Sequence, residues 1–146
     1  MTNAPNPKFI PVASDFFVAP QITAAEVAEA AAMGVRAIVN NRPDHEEPGQ
    51  PTSDEIAAAA KAAGVAYLHA PVGQAGISEA QLADFNDLAA ADAPILAFCR
   101  SGMRSIVLRS MAKVYAGADV DSVLAEADAA GFQLHGHRPL LDAVAS

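Results

Sequence analysis

Short apolar runs alternate with longer segments of helical periodicity along the chain of 146 residues. Apolar, β-branched or aliphatic residues fill the runs at 35–40, 65–72 and 94–98, which is typical of buried strands. The short run at 16–18 is predicted to be an edge strand. Capping signals and glycines predict five helices, at 23–33, 52–63, 78–91, 103–115 and 119–130. The segment after 134 is expected to add at most a short turn.

This alternation of strands and helices with short connections predicts an α/β fold, with a mostly parallel central sheet flanked by helices. The length suits one domain with one hydrophobic core. We expect that domain at residues 15–134, between a Pro-rich lead at 1–14 and a short tail at 135–146.

Composition narrows the classes of function. Hydrophobic residues make up 52% and charged residues 18% of the chain, as in globular proteins. The net charge of −8 argues against a nucleic-acid partner, because such proteins carry a basic patch. No run is long and apolar enough to predict a membrane span, and no secretory signal is recognisable. A single cysteine and the lack of a Cys/His cluster or dinucleotide fingerprint suggest a cytoplasmic protein without metal or cofactor.

Candidate chemistry is concentrated at residues 98–105, FCRSGMRS, which include the only cysteine. Cys99 ends a predicted strand, where ligands of parallel sheets bind. The following helix begins near Met103 or Arg104, and its free N–H groups and partial positive charge stabilise a thiolate, the nucleophilic form of cysteine. Gly102 permits a nest of inward N–H groups that binds anions. A buried structural cysteine is the alternative, but such a residue gains nothing from the flanking arginines.

The candidate site has two groups of residues. Cys99 is the expected nucleophile. Arg104 is suited to donate two parallel hydrogen bonds to an oxyanion. The hydroxyl of Ser105 is expected to donate a hydrogen bond to the sulfur. The expected substrate-anion contacts come from the same loop and from one arginine after another strand: Arg100, Ser101, Gly102, Met103 and Arg42.

Several polar residues outside this loop allow two interpretations. Arg42 either contacts the substrate anion or serves as a partner for the acidic loop, or it is a surface arginine that pairs with Glu46 or Glu47. The carboxylates of Asp44, Glu46 and Glu47 are expected to be solvated, although they could reach over the site. His137 is expected to lie on a plain surface.

The segment at 99–105 resembles the active loop of single-domain rhodanese sulfurtransferases. A longer resemblance, over roughly residues 15–134, is to the phosphatase-like domain of beta-lactamase hydrolase-like proteins. It is carried by the segments at 21–23, 39–43, 47–51, 65–71 and 99–105. This resemblance implies a sandwich like that of the cysteine phosphatases of the dual-specificity type. Members of that family also occur fused to a metallo-beta-lactamase-like domain similar to persulfide dioxygenases, which implies sulfur chemistry.

The two resemblances leave the reaction open. Cysteine phosphatases place the loop arginine after five residues and rhodaneses use a loop one residue shorter; here Arg104 follows Cys99 after four. Phe98 stands where such phosphatases usually carry His, and the loop at 71–76 has no carboxylate to serve as general acid.

The main expectation is therefore a sulfurtransferase that holds sulfane sulfur as a Cys99 persulfide. Its partners would be a small-molecule or protein sulfur donor and an acceptor thiol. The alternatives are a phosphatase that forms a Cys99 phosphocysteine, and a non-catalytic persulfide carrier or anion-binding module.

Overall fold

The structure, a computed structural model, describes residues 6–145; residues 1–5 of the predicted lead and residue 146 of the predicted tail lie outside the described residues. In the described part, five strands form one sheet in the order β1-β2-β5-β3-β4. The strands are β1 (Ile10–Ala13), β2 (Phe16–Ala19), β3 (Ala37–Asn40), β4 (Ala66–His69) and β5 (Ile95–Phe98). The helices are α1 (Ala24–Ala32), α2 (Ser53–Ala63), α3 (Glu79–Ala89), α4 (Met103–Tyr115), α5 (Val120–Ala129) and α6 (Arg138–Ala145), with a 3-10 turn at His135–His137.

The predicted α/β fold with a mostly parallel sheet is confirmed, with two corrections near the amino terminus. Strand β1 lies inside the expected Pro-rich lead and pairs antiparallel with β2. Strand β2 was expected at the edge of the sheet, but it also pairs parallel with β5 and is therefore internal. Pro11 does not prevent β1 from pairing because an edge strand can leave one side of its backbone unpaired.

Helices cover both faces of the sheet, so its central strands are buried on both sides. Val18, Val39 and Ala97 pack into the core shared with α3, α4, α5 and α6. Ile38, Leu96 and Phe98 pack into the core shared with α1 and α2. The opposite faces arise because successive side chains of a strand alternate in direction.

Polar caps fix where the helices begin. Thr23 and Glu26 form a reciprocal capping box at α1, and Ser78 and Gln81 form another at α3. Thr52 accepts the third N–H of α2, which is one half of the capping box expected there. Each such cap contributes about 1 kcal/mol because it satisfies a free N–H of the first turn.

The carboxyl-terminal segment is more ordered than the short turn expected from the sequence. It forms the eight-residue helix α6, which packs against α4. Leu134 and Leu141 are fully buried and belong to the same core as α4. Within residues 6–145, none of the helices has the length and apolar character needed to cross a bilayer.

The strand order creates a crevice at the carboxyl ends of two neighbouring strands. Strand β5 lies between β2 and β3, parallel to both. The chain leaves β5 toward α4 on one face of the sheet and leaves β3 toward α2 on the other. Ligands of open α/β sheets bind at such switch points. Cys99 follows β5 and Arg42 follows β3, so both predicted site segments lie at this crevice.

Candidate active site

Cys99 lies directly after β5 and is completely buried. Its Sγ accepts the backbone N–H of Gly102 at 3.1 Å. Gly102 is the residue before α4 and has a left-handed backbone with φ of 96°. A side chain is strained in that conformation, so glycine suits this position. The sulfur therefore lies at the amino end of a helix of 13 residues, as the sequence predicts.

The other loop residues surround this turn in different ways. The Ser101 hydroxyl oxygen accepts the Met103 N–H at 3.4 Å, which closes a local turn. Arg100 has a side chain that is 69% exposed and lies 3.8 Å from a Glu47 oxygen. Met103 is half-buried at the first position of α4. The backbone of the loop is thus ordered around Cys99, whereas Arg100 reaches solvent.

The expected hydrogen bond from Ser105 to the sulfur is not formed. Ser105 is buried in the first turn of α4, and its hydroxyl has no hydrogen-bond partner among residues 6–145. The backbone N–H of Gly102 donates a hydrogen bond to the sulfur instead. The prediction placed Ser105 by its proximity to Cys99 in the sequence, but the direction of its side chain on the first turn of α4 depends on how the loop enters the helix.

Arg104 forms a two-pronged ion pair with Glu46. Its Nη1 and Nη2 atoms each donate to a different carboxylate oxygen of Glu46 at 2.8 Å, and Nη1 also donates to the Val72 carbonyl at 2.9 Å. A guanidinium has five N–H donors. The donors that these three bonds do not use are Nε and one hydrogen of Nη2, and an interaction of the guanidinium with the Cys99 side chain also raises the pKa of Arg104. An arginine edge of this kind can bind an oxyanion with two parallel hydrogen bonds.

Arg42 is buried beneath the same carboxylates, with only 1% of its side chain exposed. Nε donates to Glu46 at 2.9 Å, Nη2 donates to Glu47 at 2.8 Å, and Nη1 donates to the Gln21 side-chain oxygen at 3.0 Å. Arg42 was a candidate contact for the substrate anion, but two protein carboxylates already hold it. The structure supports the other interpretation, a partner for the acidic loop, with the difference that Arg42 is not on the surface.

Glu46 is the carboxylate that links the two arginines. Hydrogen bonds from Arg104 and then from Arg42 lower its pKa from 4.5 to about 2, against the opposing effect of burial. Hydrogen bonding to Glu46, assisted by the charge of Cys99, raises the pKa of Arg104. Glu46 lies on an exposed part of the loop, as expected, and it also reaches over the site, where two guanidinium groups bind it. It is ionised at neutral pH and therefore cannot serve as a general acid in this arrangement.

Side chains from β3 and β4 hold the acidic loop in place. Asn40 accepts the Arg42 N–H at 2.9 Å and donates to the Tyr67 hydroxyl at 3.1 Å. The His69 ring nitrogen lies 3.0 Å from the Arg42 carbonyl oxygen. Gln50 accepts the Glu46 N–H at 3.1 Å and donates to the Pro43 carbonyl. The sequence did not predict Glu46 as a partner of Arg104. The available signal was that Glu46 lies four residues after Arg42, on the loop that follows β3, the strand next to β5.

A cavity of about 220 Å³ adjoins the loop and is lined by Met103, Arg104 and His137, among others. His137 was expected on a plain surface, but it is half-buried and its Nδ1 is buried without a hydrogen-bond partner in the described part of the chain. A second cavity, of about 300 Å³, is lined by Phe16 and Ile95, among others. These two residues are the first residues of the parallel strands β2 and β5. Because Cys99 follows the carboxyl end of β5, the larger cavity is separate from the candidate site.

The arrangement combines a sulfur at a helix amino terminus with a side-on pair of arginine donors. Such a site can hold an oxyanion beside a cysteine nucleophile. The fold and the position of this loop define a cysteine-phosphatase-like α/β protein. A crystal structure described as a "putative phosphatase" from Neisseria meningitidis has a TM-score of 0.78 and 31% identity, covering 95% of this chain and 99% of that one. Tk-PTP in its active form has the same fold, with a TM-score of 0.72 and 20% identity over 95% of this chain and 96% of its own.

The family model for the phosphatase-like domain of beta-lactamase hydrolase-like proteins matches residues 8–116, and the chain belongs to this family. A beta-lactamase hydrolase-like protein from Xylella fastidiosa is 41% identical over 103 residues, which are 69% of this chain and 24% of the relative. One from Agrobacterium fabrum is 39% identical over 92 residues, 62% of this chain and 21% of the relative. The chain thus spans about a quarter of the length of these relatives. The family and fold predictions are confirmed, and these comparisons favour the phosphatase alternative over the sulfurtransferase.

Proposed function

We propose that this chain is a cysteine-dependent phosphatase in which Cys99 is the nucleophile. The observation that carries the proposal is the position of the Cys99 sulfur, 3.1 Å from the Gly102 nitrogen at the start of α4. Arg104 lies on the first turn of the same helix. The family and the structural neighbours support the same class of reaction.

In the proposed reaction, the Cys99 thiolate attacks phosphorus and the P–O bond to the leaving group breaks. The electron pair of that bond leaves with the oxygen, which takes a proton from water. The phosphoryl group is then held as phosphocysteine until water attacks phosphorus, the P–S bond breaks and inorganic phosphate and the thiolate are regenerated. The loop N–H groups and the Arg104 donors that do not bind Glu46 or Val72 stabilise the charge on the phosphoryl oxygens.

Sulfur transfer is a second candidate, favoured by one specific observation. Four residues separate Cys99 from Arg104, one fewer than in cysteine phosphatases, so the anion-binding loop is smaller. In this reaction the thiolate attacks the outer sulfur of a thiosulfate, the S–S bond breaks, sulfite leaves and Cys99 becomes a persulfide. An external nucleophile such as cyanide then removes that sulfur as thiocyanate and restores the thiolate.

Parallel assays on the full chain test both reactions. The phosphatase proposal predicts hydrolysis of an aryl phosphate that vanadate inhibits and that Cys99→Ala abolishes. Thiocyanate formed from thiosulfate and cyanide, also lost in Cys99→Ala, would instead support the sulfurtransferase. A stable adduct on Cys99 without multiple turnover would support the non-catalytic carrier. If Cys99→Ala changes nothing in either assay, a catalytic role for Cys99 is wrong.

A further inference from the structure

The cavity beside the Cys99 loop differs in character from the loop itself. Its walls come from α4, α6 and the segment between β4 and α3, and they are mostly apolar. The apolar side chains are Val72, Ile77, Met103, Val107, Met111 and Leu140. Methionine side chains adapt to irregular ligands, and two of them, about two turns apart on α4, line the same wall here. Such a lining favours an apolar group over a charged one.

Arg104 connects this cleft to the candidate active site. It lines the cleft, and its Nη1 donates to the carbonyl of Val72, another lining residue, at 2.9 Å. Met103 belongs to both the Cys99 loop and the cleft. A molecule whose anion rests on the loop therefore has the cleft within reach of its next atoms.

The size of the cleft limits what can enter it. Its volume is about 220 Å³. Drug-sized ligands occupy pockets of roughly 300–1,000 Å³, whereas an apolar cavity of about 150 Å³ admits benzene. A single ring fits the cleft, and a folded protein segment does not.

His137 adds a polar ring to this apolar wall. Its Nδ1 has no hydrogen-bond partner within residues 6–145, so a ring rotation that presents this nitrogen to a ligand breaks no existing bond there. Leu140, one turn of chain further on, is half exposed at the rim.

From these features we infer that the cleft binds the apolar part of the substrate, a single aromatic ring or an aliphatic group of similar size, attached to the anion held by the Cys99 loop. The inference rests on the proposed function for the identity of that anion, a phosphoryl group. It assigns specificity to residues outside the loop, chiefly Met111 and Leu140.

Binding of two phosphonates to the full chain tests the inference without turnover. Phenylphosphonate and methylphosphonate carry the same anionic group, and calorimetry gives both dissociation constants. We expect phenylphosphonate to bind about tenfold tighter, because the ring leaves water for the cleft. Leu140→Glu, which places a charge at the rim, should remove this preference while methylphosphonate still binds. Met33→Glu is the matched control, since Met33 is also exposed, at the end of α1 far along the chain from the cleft, and should keep the preference.

Equal binding of the two phosphonates, failure of both to bind, or a preference that survives Leu140→Glu would overturn the inference. The phenyl preference without hydrolysis of any aryl phosphate would leave this inference standing and refute the proposed phosphatase. Hydrolysis of an aryl phosphate without a phenyl preference would refute this inference and leave the proposed phosphatase standing. The two claims therefore fail in different measurements.

Discussion

Glu46 and Arg104 lie 58 residues apart in the sequence, yet they form a two-pronged ion pair with both N–O distances at 2.8 Å. Glu46 also accepts a hydrogen bond from the buried Arg42, which holds the Glu46 carboxylate in place. The pair fixes one edge of the Arg104 guanidinium and leaves the other edge available to an oxyanion. Glu46 is therefore a positioning residue for Arg104 in the proposed reaction.

Replacing Glu46 by Gln should lower kcat/KM for an aryl phosphate by about tenfold, because a neutral amide holds Arg104 less firmly. The reduction should appear mainly in kcat if the oriented guanidinium acts on the transition state. Glu79→Gln, an exposed change in the first turn of α3, should leave both constants unchanged. An unchanged kcat in Glu46→Gln would contradict the positioning role.

The same carboxylate predicts how stability depends on pH. The pKa of Glu46 is lowered from 4.5 to about 2, so its contribution is complete above 4.5 and is lost as the pH falls toward 2. This contribution is of the order of 1–2 kcal/mol once solvent screening is allowed for. Urea unfolding near neutral pH and near pH 3 should therefore show a smaller acid-induced loss in Glu46→Gln than in the wild type. Equal losses in the two proteins would exclude this linkage.

The sequence predicted the parts of this site that depend on local signals. The strand end at Cys99, the glycine nest and the start of α4 follow from the order of residues in one segment. The Glu46–Arg104 pair and the cleft could not be predicted, because they depend on how distant segments meet. Strand β1 escaped notice because a short run with a proline carries a weak strand signal, and it forms only against β2.

Gly102 offers a test of the loop geometry with a matched glycine. Gly102 and Gly117 have φ of 96° and 111°, but a Cβ would lie 3.3 Å from Phe132 only at Gly102 and would meet open space at Gly117. Both alanine variants should lose about 1 kcal/mol through backbone strain, measured by urea unfolding. Gly102→Ala should lose more stability than Gly117→Ala and should also lose most of the activity. Similar effects of the two substitutions would show that the close approach to Phe132 does not matter.

The proposed phosphatase should depend strongly on its leaving group. Glu46 is ionised, and the loop at 71–76 carries no carboxylate. A general acid contributes roughly 10²–10⁴-fold to such reactions. Alkyl phosphates of similar size should thus react at least about 10²-fold slower than aryl phosphates, measured as kcat/KM. Comparable rates would show that another group of the protein serves as general acid.

The most direct test of the central claim, that Cys99 is the nucleophile, is the intact mass of the protein after rapid acid quenching. The full chain is mixed with an aryl phosphate and, separately, with thiosulfate, and modified peptides are mapped. We expect a gain of one phosphoryl group, confined to the peptide with Cys99 and absent in Cys99→Ala. A gain of one sulfur atom from thiosulfate at the same residue would support the second candidate reaction. Turnover with no adduct on Cys99, or an adduct that persists in Cys99→Ala, would show that Cys99 is not the nucleophile.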